Sequence, residues 1–139
     1  MFKQWKPLGE HLGTFPGLYL DIRGRDVSVA WEEWLNGECI FKMRIDFGRS
    51  IASLMIWDES PIGFAPGQLS DEAFDPAEAG QYSAWVERES SIIQSYDEYA
   101  RMLYERIDRY HFWGQDIVLL LDAADAEPTI TIEVPRRTA

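Results

Sequence analysis

SYDEYARMLYERIDRYHFWG, residues 95–114, is the stretch on which the fold turns. Read at helical spacing, Tyr96, Tyr99, Ala100, Leu103, Ile107 and Tyr110 recur three and four apart, so they share one face of a helix. Ser95-Tyr96-Asp97-Glu98 has the form of a capping box, in which the serine accepts from a first-turn amide and the glutamate reaches back. Gly114 supplies a stop signal. The spacing therefore predicts one main helix over 96–111. Two strands follow, 116–121 (DIVLLL) and 129–134 (TITIEV), joined by an acidic loop that contains Pro128.

The segment before it alternates with period two and predicts four antiparallel strands at about 18–22, 27–34, 38–47 and 50–57. Register follows from requiring apolar faces to coincide, because a slip of one residue turns every side chain to the other face. A two-residue loop at Gly24-Arg25 sets Ile22, Leu20 and Leu18 against Val27, Val29 and Trp31. A two-residue loop at Gly48-Arg49 sets Ile45, Met43 and Phe41 against Ala52, Leu54 and Ile56. At Asn36-Gly37, an uninterrupted ladder from a two-residue loop would oppose Val27, Val29 and Trp31 to Asp46, Arg44 and Lys42. A three-residue loop, Leu35-Asn36-Gly37, instead sets Val27, Val29 and Trp31 against Ile45, Met43 and Phe41, and a bulge at Glu32-Glu33 would do the same. The resulting face (Leu18, Leu20, Ile22, Val27, Val29, Trp31, Phe41, Met43, Ile45, Leu54, Ile56) needs a cover, and helix 96–111 is the expected one. This is an α+β architecture in a single domain, 1–139, with the two late strands extending or capping the sheet. Over 76–93, Asp75-Pro76-Ala77-Glu78 reads as a helix start and Gly80 limits it to a short turn.

At 139 residues with 46% apolar content and six tryptophans, the chain can bury a core. No run approaches the length of a membrane span, and MFKQWKPLGEHLG lacks the apolar region of a secretory signal. A single cysteine, Cys39, excludes an internal disulfide and makes the cytoplasm the expected compartment. The net charge of −11 is unevenly distributed: residues 1–50 are neutral overall, residues 51–139 carry all of it, and no base occurs from Ser50 to Glu87. That balance disfavours nucleic-acid phosphate and favours a basic protein partner.

Motifs for chemistry are few. One cysteine and two histidines give no zinc spacing, no calcium loop is present, and no cofactor or metal is expected. There is no nucleophile elbow or phosphate-binding glycine loop, so no catalytic residue is assigned. Cys39 with His111 could form a dyad; Cys39 instead falls on the apolar side of its strand, as a structural thiol would, and His111 follows the helical stripe as a C-terminal cation. Glu32 and Glu33, adjacent on a strand, point to opposite faces and cannot flank one bond.

The second sheet face carries Tyr19, Asp21, Ser28, Ala30, Glu32, Lys42, Arg44 and Asp46 as a solvated lattice, with Glu32 near Lys42. Trp34, Ile40 and Trp57 fall at one end, beside WDESPIGFAPGQLSDEAFDPAEAG, residues 57–80. That stretch holds Asp58, Glu59, Asp71, Glu72, Asp75 and Glu78, no base, and the apolar Ile62, Phe64, Leu69 and Phe74. It reads as an ordered flap, with apolar residues tucked against the sheet and acids turned outward. Large aromatics beside acids are the composition of a protein-binding hot spot.

In size and charge the chain resembles the bacterial immunity proteins that neutralise toxins. The resemblance implies a non-catalytic cytoplasmic inhibitor that occludes the active site of a basic partner. Trp34 and Trp57 would be its anchors, Asp58, Glu59, Asp71, Glu72, Asp75 and Glu78 its steering charges, and Asp122, Asp125 and Glu127 further candidates. Two other expectations compete with it. One is a small-molecule or enzymatic pocket between helix and sheet, lined by Tyr96, Tyr99, Tyr104 and Tyr110. The other is an accessory subunit that dimerises through its aromatic sheet face. The inhibitor reading predicts a monomer or weak dimer.

Overall fold

The computed structural model describes residues 1–10, 12–13, 16–58, 73–75, 77 and 83–137, with backbone alone at Trp57 and Asp58. Among these residues nine strands make up two sheets: β1 (Lys3–Gln4), β2 (Gly17–Arg23), β3 (Asp26–Leu35), β4 (Glu38–Gly48), β5 (Ile51–Asp58), β6 (Ala84–Glu87), β7 (Ile107–Trp113), β8 (Ile117–Ala124) and β9 (Thr129–Val134). The first sheet has the order β2-β3-β4-β9 and the second β1-β6-β7-β8-β5, with every neighbour antiparallel. A 3-10 turn, Ser91–Ser95, and one short helix, α1 (Glu98–Leu103), lie between β6 and β7.

The β2–β3 hairpin has the register expected of a two-residue loop, with Ile22, Leu20 and Leu18 opposite Val27, Val29 and Trp31, and Gly24 at φ +63°. The next hairpin corrects the three-residue loop. Asn36 and Gly37 both take positive φ, 51° and 78°, and Leu35 pairs with Glu38, which is the two-residue type I′ turn that Asn-Gly favours. The apolar faces are reconciled by a bulge between Glu33 and Trp34, after which Trp31 opposes Met43 rather than the expected Phe41 and Val29 opposes Ile45 rather than Met43.

The α+β architecture with a main helix on the sheet is overturned. Residues 107–113 form β7, and the cover over the apolar face is a second sheet. The reason lies in β8, where every residue from Val118 to Ala124 is buried. A strand enclosed on both faces needs a neighbour along each edge, because its amides and carbonyls have no water to bond. β5 takes one edge and β7 the other. A helix lying across the face could not supply those bonds.

The fourth strand is also relocated. Alternation places Leu54 in the core, and it packs there, yet from the opposite layer: β5 joins the second sheet, and β9 takes the expected edge of β4, with Ile130 opposite Ile45 and Ile132 opposite Met43. Gly48-Arg49-Ser50 is thus a corner between sheets rather than a hairpin. Gly48 sits at φ +58°, the Ser50 amide donates to the Phe47 carbonyl at 3.1 Å, and the Ala124 amide donates to the Ser50 carbonyl at 2.6 Å. Gly114 is a close-approach residue rather than a helix stop: a Cβ there would lie 2.7 Å from Cγ of Leu18.

Between the sheets, Val29, Trp31, Met43 and Ile45 meet Tyr110, Phe112, Leu119 and Leu121. Trp31 lies edge-on to Phe112 with centroids 6.3 Å apart, and Phe47 edge-on to Tyr110 at 5.2 Å. Trp5 fills the space beside them, 5.4 Å from Tyr110 and 5.5 Å from Phe112. The far side of the second sheet is covered as well. Phe2 and Phe74 pack on Trp85, His111 and Leu120, fixed by the Phe2 amide on the Ala73 carbonyl at 2.7 Å. Next along that face, Arg109 donates to Asp122 Oδ1 at 2.7 Å and the Tyr96 hydroxyl to Asp122 Oδ2 at 2.8 Å.

His111 is therefore not a helix-end cation. Burial, then the nearby Arg109 charge, lowers its pKa from 6.5 to about 4. The unfolded chain binds the extra proton between those values, so stability is full above pH 6.5 and declines as pH falls towards 4, by on the order of 3 kcal/mol. Urea unfolding should show this slope, and His111→Phe should flatten it between about pH 6.5 and about pH 5, above the ordinary carboxylate range. The two-sheet core yields a second expectation. Phe112→Ala should cost about 3–5 kcal/mol, whereas Leu103→Ala, on the stripe of the expected helix, should cost less than about 0.5 kcal/mol. Comparable losses in urea midpoint would restore the helix-on-sheet architecture.

Candidate functional site

α1 begins where Asp97, extended at φ −64° and ψ 165°, accepts from the Ala100 amide through Oδ1 at 2.8 Å. Glu98 in the first turn and Arg101 in the last oppose the helix dipole favourably. Six residues are too few for a helix to persist on its own. Its two ends are anchored to the sheet. Tyr96, before it, is tied to Asp122 and lies edge-on to Tyr104, after it, with centroids 6.4 Å apart. Burial first, and then the hydrogen bond to Asp122, raises the Tyr96 pKa, so that hydroxyl stays protonated as a donor. On the C-terminal side, Asp125 Oδ1 accepts from the amides of Glu105 at 2.9 Å and Arg106 at 2.7 Å, while the Asp125 amide donates back to the Arg106 carbonyl at 3.1 Å. Asp125 does this at φ 56°, a left-handed conformation that aspartate tolerates better than most residues.

The helix held this way buries none of its own residues. Tyr99, Met102 and Leu103 are 71%, 79% and 55% exposed, and at spacings of three and four they share one face. Around them Asp97, Glu98, Glu105 and Asp125 are exposed acids. Of the nearby bases, Arg106 is turned inward to Asp108 at 3.2 Å and Glu127 at 3.6 Å, which leaves Arg101 on the helix itself. The result is an apolar knob flanked along the chain by acids, with Arg101 on the same helix.

Of the residues expected to form a partner site, the described ones lie in different elements. Trp34 is 56% exposed near the β3–β4 turn, its Nε1 donating to Glu32 at 3.1 Å. Trp57 lies in the other sheet opposite Val118, and Asp58 opposite Ile117, so Trp34, Ile40 and Trp57 do not share a sheet face. Asp75 is half-buried and accepts from the Ala77 amide at 2.9 Å, consistent with a helix-start role. Of the flap, Phe74 is packed on the second sheet; Ile62, Phe64, Leu69, Glu59, Asp71, Glu72 and Glu78 lie outside the described residues. Asp122 is buried and paired, and Glu127 accepts from Arg88 at 2.6 Å. Asp125 alone among the later candidates borders α1.

Other sites weighed from the sequence are separated by the fold. Cys39, in the first sheet, is half-buried with its thiol directed to the Phe41 carbonyl at 3.5 Å, while His111 faces the far side of the second sheet; the two form no dyad. The four tyrosines line no common pocket, since Tyr110 is core, Tyr96 and Tyr104 brace α1, and Tyr99 is exposed. Of the outer lattice of the first sheet, Lys42 lies 4.0 Å from Glu32 as expected and 3.4 Å from Glu133, whereas Ser28 is buried. Among the described residues no cluster of His, Cys, Asp or Glu could hold a metal ion, and no helix is long and apolar enough to cross a membrane.

Sequence reasoning missed α1 as a surface because it assigned Tyr99 and Leu103 to a buried stripe. Met102 carried the available signal, since it lay off that stripe and would have faced outward in either reading. No family model, curated protein or solved structure matches this chain.

Removing the Asp125 carboxylate should release both amides at the C-terminal foot of α1. Asp125→Ala is expected to cost about 1–3 kcal/mol and to speed hydrogen exchange at Glu105 and Arg106 while leaving β8 amides protected. Unchanged exchange at those two amides would show that the clamp does not hold the helix.

Proposed function

We propose that this chain is a non-catalytic binding protein that docks a basic protein partner, as a cytoplasmic inhibitor of the immunity type does when it covers a partner's active site. The observation that carries this reading is the exposed Tyr99–Met102–Leu103 face flanked by exposed acids. A rigidly footed apolar knob is inexpensive to bury, because its conformation is set before the partner arrives. The surrounding acids and the chain's net charge of −11 favour a partner surface rich in Lys and Arg with an apolar recess at its centre. Steering by charge speeds encounter, and the apolar centre slows release. On this reading residues 97–105 are the docking site among the described residues.

The test is a binding measurement with the product of the adjacent reading frame, in which this reading expects a basic domain. The association rate should fall by about tenfold or more between about 50 mM and about 500 mM NaCl. Tyr99→Ser with Leu103→Ser should weaken affinity by roughly 100-fold, and Trp34→Ser should change it less than about threefold. Equal binding by the double variant would refute the assignment of α1. Light scattering that shows a stable homodimer dispersed by the same double variant would instead assign the face to self-association.

A further inference from the structure

A second feature, independent of α1, has the opposite charge. Thirteen bases face twenty-four acids in this chain, yet three of those bases, Lys3, Lys6 and Arg88, line one cleft with a single acid, Glu127. The cleft has a volume of about 690 Å³ and opens between the β1 edge of the second sheet and the start of β9 in the first. Its apolar walls include Trp5 and Ile130. That size and that mixture of apolar wall with a few convergent charges suit a small organic ligand.

The three bases are held differently. Arg88 is a fixed floor: its Nη1 donates to Asp108 at 3.1 Å, to the Tyr110 hydroxyl at 3.0 Å and to Glu127 at 2.6 Å. Its charge is thus largely matched inside the protein. Lys3 and Lys6 are exposed, and among the described residues neither has an ion pair. Lys3 pairs in register with Val86, an inward residue of β6, so its side chain leaves the strand on the side of the gap between the sheets. Trp5, two residues on, points the same way and is anchored in the core. Two flexible cations are in this way placed at the rim above an apolar wall.

We propose that this cleft binds a small organic anion, a carboxylate or phosphate ester whose charged group sits between Lys3 and Lys6 and whose apolar part lies towards Trp5 and Ile130. Glu127 limits the charge the site accepts, since it repels a second anionic group near the floor. The site therefore takes a compact anion with one charged end rather than a polyanion, and nucleic acid is a poor fit.

The probes are naphthoate, its uncharged amide, and inorganic phosphate, titrated into the full chain and followed through the backbone amides of Trp5, Val86 and Ile130 by NMR. Naphthoate should give saturable shifts at those residues. The amide should bind at least about tenfold more weakly, and phosphate should bind more weakly than naphthoate for want of an apolar part. Lys3→Gln with Lys6→Gln, both at exposed positions, should weaken naphthoate by roughly tenfold without altering the thermal midpoint. Tyr99→Ser with Leu103→Ser should leave naphthoate binding intact, so failure of this site and failure of the α1 docking surface are separate results. Absence of saturable shifts, equal binding of acid and amide, or equal binding to the lysine variant would each overturn the proposal. Phosphate binding as tight as naphthoate would reduce the site to an adventitious ion only.

Discussion

Tyr110 carries the contact on which the two layers depend. Its ring has no exposed surface and meets Trp5, Phe47 and Phe112, so it joins the chain start, the first sheet and the second in one packed group. Its hydroxyl leaves that group at the sandwich edge and accepts from Arg88. A phenylalanine could fill the volume but not complete the charge cluster behind it. Asp108, almost fully buried, is met by Arg88 and Arg106 at 3.1 and 3.2 Å and by the Glu89 amide, which donates at 2.9 Å. Removing one partner from such a cluster costs more than the cluster contributes, since a buried charge is then left uncompensated. The apolar core and the ionic edge are thus a single construction.

Much of the first sheet was legible in the sequence because its turns carry their own chemistry. Gly24 and Asn36-Gly37 are needed for positive φ, and the apolar alternation between them leaves few registers. At Asn36 the sequence left two solutions, a longer loop or a bulge, and the bulge two residues before the turn lets the favoured turn and the matched faces coexist. Which layer β5 joins was not legible. Alternation fixes which residues face the core, and Leu54 meets that requirement equally well from either sheet.

Residues 107–113 were illegible for a different reason. Ile107, Tyr110, Phe112 and the polar Asp108 and His111 are all buried, so neither period two nor period 3.6 survives in the pattern. The polar members are accommodated by partners distant in sequence, as Asp108 is by Arg88 and Arg109 by Asp122. A strand covered on both faces presents no amphipathic signal, and the residues before it, 96–103, lent it a helical one. The density of β-branched and aromatic residues in IDRYHFW, followed by a Gly-Gln turn and then IVLLL, was the competing strand signal. For the candidate site, the acids of residues 58–78 carry the sequence reading by number and lie mostly outside the described residues; among the described residues, exposure favours the smaller group around α1.

The position of β9 has a consequence for how the chain is made. Its residues 129–134 complete a sheet whose other strands end at residue 48. On a ribosome, β4 is therefore exported with an unsatisfied row of amides and carbonyls, and the strand that closes it emerges on the order of ten seconds later. An open edge of that length is a template for pairing with a neighbouring nascent chain. Lys42, Arg44 and Asp46 alternate along it with Met43 and Ile45, so each apolar residue is flanked by a charge throughout the wait. The outer lattice of the first sheet, which adds little to the stability of the finished molecule, then has its main value before the molecule is finished.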